Sequence, residues 1–67
     1  MSKAAITLYA YLKKHKLKQL DFCRLTGVNR FTLHNYLRGS NVKAYIARRI
    51  EEKTQGQIKV SDLIDKI

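Results

Sequence analysis

The sequence of 67 residues contains no proline, three glycines, one cysteine and five acidic residues. With no proline, no repeat and no low-complexity stretch, no linker is expected, and residues 1–67 are interpreted as one domain. The single cysteine, Cys23, excludes an intramolecular disulfide and suits a reducing cytoplasm. No apolar run approaches the roughly 18 residues of a membrane-spanning helix. The first ten residues also lack the long apolar segment of a secretory signal, so we expect a small cytoplasmic protein with no membrane association.

The side-chain clusters that catalysis requires are missing as well. The sequence has no paired carboxylates, no Ser–His–Asp set and no glycine loop that could cradle a phosphate. The two histidines, His15 and His34, have no neighbouring ligands with metal-site spacing. Cys23 is interpreted as a small buried apolar side chain rather than a nucleophile. We therefore expect no enzyme activity, no metal, no cofactor and no small-molecule ligand.

Acidic residues are scarce over most of the chain, and the formal net charge is +9. Residues 1–50 carry eleven basic side chains against one acid, Asp21, a net charge of +10. Residues 51–67 carry three basic and four acidic side chains, a net charge of −1. Uncompensated like charge opposes compaction and usually reflects a partner of opposite sign. A polyanion is therefore the expected partner of the first fifty residues.

Apolar side chains recur at helical spacing and predict an all-α fold of four helices with an ordered tail, or of five helices. A first helix is predicted over residues 4–15, with Ser2 as its N-cap. Its buried stripe comprises Ala5, Leu8, Tyr9 and Leu12. Leu17 is expected to reach the core from the connection that follows. A second helix over residues 18–25 is expected to bury Leu20, either Phe22 or Cys23, and part of Leu25.

Two further helices are predicted between the glycines. The third covers residues 30–38, with Asn29 as N-cap and Gly39 in a left-handed conformation just after its end. The fourth covers residues 42–54, with Asn41 as N-cap, and ends at Gly56. The side chains expected to face the core are Leu33, Tyr36, Leu37, Val42, Ile46, Ala47 and Ile50.

The C-terminal segment, residues 57–67, allows two interpretations. Residues 57–60 fit either a strand or a loop, and Ser61 is expected to cap a final helical turn. The apolar side chains of the segment either close the core of the monomer or form a surface for a second copy. They include Ile58, Val60, Ile64 and Ile67.

Residues 19–39, QLDFCRLTGVNRFTLHNYLRG, have the spacing of a helix-turn-helix, which we place at about residues 18–38. The three residues Thr26–Val28 form the predicted turn, where Gly27 tolerates a positive φ. Cys23, four residues earlier, is small enough to let the two helices approach. Val28, Leu33 and Tyr36 fall where the second helix of this motif, the predicted third helix of the chain, must bury its inner face. Its outer face is mostly polar and basic, as entry into a DNA major groove requires.

These residues carry a resemblance to a known family. The matching pieces are YLKKH at 11–15, Gln19, Phe22, Cys23, Gly27, Val28, TLHNYLRG at 32–39 and ARRIEE at 47–52. Together they resemble the small Cro-like proteins of the lambda-repressor-like helix-turn-helix superfamily. The similarity is greatest to the YdaS-type members of phages and prophages, and it covers residues 6–63.

The resemblance implies a sequence-specific regulator that binds double-stranded DNA. By this likeness Gln19 meets a phosphate, Arg30, Phe31 and Asn35 face base edges, and Arg38 reaches a phosphate or a base. Two residues depart from the family pattern. Thr26 stands where a larger apolar residue is usual, and Phe31 stands where a small polar residue is common, which removes hydrogen-bonded base readout at that position.

Several of these side chains also have other interpretations. Phe31 is either partly buried or pressed against a thymine methyl group. His34 is expected on the phosphate side or in solvent, and Lys43 against the DNA backbone. Arg48 and Arg49 either reach DNA or pair with Glu51, Glu52 or Asp62. The complete predicted DNA-binding set is Gln19, Asn29, Arg30, Phe31, His34, Asn35, Arg38 and Lys43.

The leading functional hypothesis is a Cro-like repressor that occupies operator DNA with no cofactor. One recognition helix touches few base pairs, so a weak homodimer, or a dimer assembled on DNA, is expected. The alternative is a protein-interaction module, an antitoxin or antirepressor, that uses the same fold. A further alternative is an RNA chaperone or general nucleic-acid binder.

Overall fold

A computed structural model describes residues 2–64, which form five helices and no strand within that range. In chain order the helices are α1 (Lys3–His15), α2 (Gln19–Thr26), α3 (Arg30–Leu37), α4 (Ala44–Lys53) and α5 (Val60–Leu63). The all-α prediction is confirmed, in its five-helix form. Within the described range, every helix is too short or too polar to cross a bilayer. The predicted role of Ile67 lies outside the described residues.

Helices α1 and α3 begin at two of the four predicted N-caps, Ser2 and Asn29. The Ser2 hydroxyl accepts a hydrogen bond from the Ala5 backbone N–H at 3.1 Å. The Asn29 side-chain oxygen accepts one from the Phe31 backbone N–H at 2.8 Å. Such caps satisfy backbone donors that have no partner in the first helical turn. The start of the candidate recognition helix is therefore fixed by its own sequence.

The predicted start of the fourth helix is wrong. Helix α4 begins at Ala44, after Lys43 at the N-cap, and Asn41 does not cap it. Val42 is buried and packs in the core from outside the helix rather than on its first turn. Burial of Val42 in the core thus outweighs the capping preference of Asn41.

The predicted cap of the last helical turn is also wrong, because Ser61 lies inside α5. Two carboxylates satisfy the backbone at its start instead. The Lys59 N–H donates to the Asp62 carboxylate at 2.9 Å, and the Val60 N–H donates to the Glu51 carboxylate at 2.8 Å. The second bond ties α5 to the end of α4.

All five helices contribute to one core. Helix α1 packs against α3 and α5, α2 packs against α3 and α4, and α4 packs against α5. Ile58 is 1% exposed and Leu63 is buried, while Val60 and Ile64 pack against the core. The described part of the C-terminal segment therefore closes the core of the monomer. The largest fully buried apolar side chains are Phe22, Leu8, Leu33, Ile50 and Ile58.

Two predicted core residues are exposed instead. Tyr9 is 44% exposed and Leu20 is 42% exposed. In α2 both Phe22 and Cys23 are buried, and with Thr26 they occupy the side that faces α3 and α4. Leu20 falls on the other side of this short helix, since successive residues rotate by about 100°.

Candidate nucleic-acid interface

The turn between α2 and α3 has three residues, as predicted, but it lies one position later. Thr26 still belongs to α2, so the turn comprises Gly27, Val28 and Asn29. Gly27 adopts φ of 76°, and its N–H donates to the Cys23 carbonyl at 2.7 Å. A β-carbon at this position would have only Arg49 atoms nearby, the nearest at 3.8 Å. Backbone conformation rather than space therefore favours glycine here.

Thr26 is fully buried and has its hydroxyl satisfied. Its Oγ1 donates to the Phe22 carbonyl at 2.8 Å and accepts the Val28 N–H at 3.3 Å. A larger apolar side chain would supply neither bond. The hydroxyl therefore connects the last turn of α2 to the segment that leads into α3.

The inner face of α3 is anchored in the core by Leu33, Tyr36 and Leu37, all buried. Burial raises the pKa of the Tyr36 hydroxyl, whereas a hydrogen bond with the Lys43 backbone acts in the opposite direction. That contact joins α3 to the residue before α4. The orientation of α3 is thus fixed by the buried side chains of its inner face and by the contact of Tyr36 with the Lys43 backbone.

The opposite face of α3 is open to solvent. At about 100° per residue, Phe31, Asn35 and Arg38 follow one another along this outer face. All three are exposed, and Phe31 is 80% exposed. Arg30 and His34, also exposed, lie along one flank of the row. We call this exposed outer face of α3, with its polar, basic and aromatic side chains, the ridge.

A cleft of about 500 Å³ borders this ridge on the side of α2. The fold brings Gln19, at the start of α2, to the same cleft as the first residues of α3. Five residues of the predicted set line it: Gln19, Asn29, Arg30, Phe31 and His34. We call it the α2-side cleft.

A second cleft, of about 240 Å³, borders the ridge towards α4. It contains two residues of the predicted set, Asn35 and Lys43. Sequence reasoning missed its other polar side chains; the only signal for them is their position next to Gly39 and the start of α4. The additional lining residues are Thr32, Tyr36, Ser40, Asn41, Tyr45 and Ile46. We call it the α4-side cleft.

The ridge and both clefts belong to a segment without negative side chains. Residues 22–50 contain six basic residues and no aspartate or glutamate. The Asp21 carboxylate, just before this segment, accepts the Lys18 backbone N–H at 3.2 Å. The carboxylates of Glu51 and Asp62, two candidate partners for Arg48 and Arg49, accept backbone N–H groups of α5 and its N-cap. The outer face of α3 therefore lies in a positive electrostatic environment.

A reactive thiol and a metal site have less support from the geometry than the surface of α3 has. Burial raises the pKa of the Cys23 thiol, although the positive charge of Arg30 acts in the opposite direction. Within residues 2–64, His, Cys, Asp and Glu side chains form no group of three that could hold a metal ion.

Comparison of the chain with protein-family models, with curated proteins and with solved structures found no match.

Proposed function

We propose that the protein binds double-stranded DNA by inserting α3 into the major groove, and that it represses transcription by occupying an operator. The observation that carries the proposal is the position of α3 as an exposed ridge between two clefts. Its inner face is held by buried side chains, and its outer face presents Phe31, Asn35 and Arg38. The resemblance to Cro-like proteins of phages and prophages supports the same function.

The dimensions of the ridge suit the groove. An α-helix with its side chains is about 10–12 Å wide, and the major groove of B-DNA is about 12 Å wide. With α3 in the groove, the two sugar–phosphate backbones that border it would lie over the two clefts. Gln19 would contact the backbone of one strand in the α2-side cleft. Lys43 would contact the backbone of the other strand in the α4-side cleft.

The charge distribution supports a polyanionic partner. Each strand presents one phosphate every 3.4 Å or so, and contacts with lysine and arginine release condensed counterions. The segment from 22 to 50 supplies only positive charges, and it includes the ridge and nearly all the residues of both clefts. Arg30 and Asn35 would then read bases, since arginine pairs with guanine and asparagine with adenine in the major groove.

Repression would follow from occupancy. A protein bound across a promoter excludes polymerase from the same DNA, and this requires neither a cofactor nor a catalytic residue. Two copies on adjacent half-sites, about one helical turn apart, would supply useful specificity. The described C-terminal residues close the monomer core, so the pairing surface would lie elsewhere on the described part of the chain or in residues beyond 64.

The test is selection of binding sequences from a pool of random duplexes, followed by affinity measurements on the enriched sequence. Controls are a scrambled duplex and an RNA duplex of the same sequence, and sedimentation gives the number of copies bound. We expect one enriched motif with repeated half-sites and at least a hundredfold weaker binding to the scrambled duplex. Equal affinity for unrelated DNA and RNA would indicate a general nucleic-acid binder. A co-purifying protein without a DNA shift would indicate an interaction module.

A further inference from the structure

We propose that Phe31 is a specificity-determining residue that selects thymine through contact with its 5-methyl group. The inference rests on the proposed function, in which α3 enters the major groove. In the Cro-like pattern that the chain resembles, this position commonly has a small polar residue. Phe31 would instead recognise its base by apolar contact alone.

Phe31 occupies the centre of the outward face of α3. It is the second residue of the helix, and the helical rotation places it roughly opposite the buried Leu33 and Tyr36. Its exposure of 80% is the highest among the exposed large apolar side chains of residues 2–64; the next are Tyr45 at 63% and Ile6 at 55%. A side chain in this position would meet a base edge before the flanking residues do.

The backbone under this ring is fixed. The Phe31 N–H donates to the Asn29 side chain at 2.8 Å, so the N-cap orients the first turn of α3. On one flank Arg30 and His34 line the α2-side cleft together with Phe31, and on the other flank Asn35 lines the α4-side cleft. The ring therefore stands between two groups of polar side chains with little freedom in the position of its β-carbon.

The chemistry of the major groove leaves one base that suits such a ring. Guanine, cytosine and adenine present hydrogen-bond donors and acceptors there, and thymine adds a C5-methyl group. Phenylalanine can satisfy no donor or acceptor, so a base edge with polar groups alone would lose its hydration without replacement. Contact with the thymine methyl removes two apolar surfaces from water at once. The geometry thus points to thymine opposite Phe31.

The experiment uses the duplex obtained by selection and replaces its thymines one at a time by deoxyuridine, which lacks only the methyl group. Affinities are measured for the unmodified protein, for Phe31→Ala and for Tyr9→Ala. Tyr9→Ala is the matched control, because it removes an exposed aromatic side chain that lines neither cleft. Circular dichroism checks that both variants remain folded, as expected for exposed positions.

For the unmodified protein we expect one thymine in each half-site at which deoxyuridine weakens binding about fourfold, the value of one buried methyl group. Tyr9→Ala should retain this response, and Phe31→Ala should lose it. The inference is overturned if the chosen duplex is bound tightly but no thymine responds, or if Phe31→Ala responds as the unmodified protein does. If no sequence is enriched at all, the proposed function itself fails, so the two failures are distinguishable.

Discussion

The Thr26 hydroxyl accepts the backbone N–H of Val28 at 3.3 Å while it donates to the Phe22 carbonyl at 2.8 Å. One buried side chain thus connects the last turn of α2 with the residue before the N-cap of α3. Thr54 has a similar arrangement after α4, where its hydroxyl donates to the Ile50 carbonyl at 2.7 Å and accepts the Ile58 N–H at 3.2 Å. In both places the threonine hydroxyl accepts a backbone N–H just beyond the end of a helix. It takes the place of the carbonyl that would accept this N–H if the helix continued.

Replacement of Thr26 by valine keeps the approximate shape and removes the hydroxyl. The buried Val28 N–H then loses its partner, so the free energy of unfolding should fall by about 1–3 kcal/mol. Thr26→Ser keeps the hydroxyl and loses a methyl group, which should cost about 1 kcal/mol. Urea denaturation measures both. A Thr26→Val variant as stable as the parent would contradict the role given to the hydrogen bond.

Gly27 allows a test of backbone conformation separate from packing. Since its φ is 76° and a β-carbon would have room, Gly27→Ala should lower the free energy of unfolding by about 1–2 kcal/mol. Gly27→Asn should cost less, because asparagine tolerates the left-handed region. The comparison is made by urea denaturation. A larger loss for asparagine than for alanine would show that side-chain size matters more here than φ.

The salt dependence of DNA binding measures the electrostatic part of the proposed function. If about six phosphates are neutralised, a plot of log K against log salt concentration should have a slope near −5. Titrations between about 50 and 200 mM salt would give this slope. An affinity independent of salt would contradict a contact made by the basic segment.

Arg30 and Lys43 should affect binding in different ways. Arg30→Ala should remove about 1–3 kcal/mol of discrimination at one base pair, because its proposed contact is with a base edge. Lys43→Ala should weaken all sequences alike and reduce the salt slope by about one. Lys53→Ala is the matched control, since it removes the same charge at the other end of α4. If Arg30→Ala left both affinity and preference unchanged, the assignment of the base-reading face would be wrong.

The buried Cys23 thiol should lower the stability of the protein at alkaline pH. Burial raises the pKa of Cys23, so the folded protein holds this proton more tightly than the unfolded chain does. The stabilisation is complete below the unfolded thiol's pKa of about 8.5 and is lost as the pH rises through the folded pKa. Denaturation by urea at pH values of about 7 and 10 should show a smaller loss of stability for Cys23→Ala than for the parent. An equal loss would assign the alkaline effect to other groups, such as Tyr36.

Local signals predicted the parts of the fold that are determined locally. Ser2, Gly27 and Asn29 act within a few residues of their own positions, and the helix starts and the turn that depend on them were predicted correctly or to within one residue. The periodicity of the α3 sequence also predicted which face of this helix is exposed. These features sufficed to place Arg30 and Phe31 on the exposed side.

The parts that were predicted incorrectly depend on contacts between distant residues. Burial of Val42 outweighs the capping preference of Asn41, and Glu51, nine positions earlier, satisfies the start of α5. The α4-side cleft escaped prediction for the same reason. Its members Ser40 and Tyr45 come together only when the chain turns after α3 and packs α4 against the core.

If α3 reads DNA as proposed, its length limits the number of base pairs that one copy of the chain can contact. Eight residues at about 1.5 Å each make a helix of roughly 12 Å, which spans about four base pairs at 3.4 Å per step. A given sequence of four base pairs recurs about once in 256 positions of random DNA, whereas eight base pairs read by two copies recur about once in 65,000. Under the proposed function, an eight-residue recognition helix therefore requires at least two copies of the chain on adjacent half-sites to specify one operator.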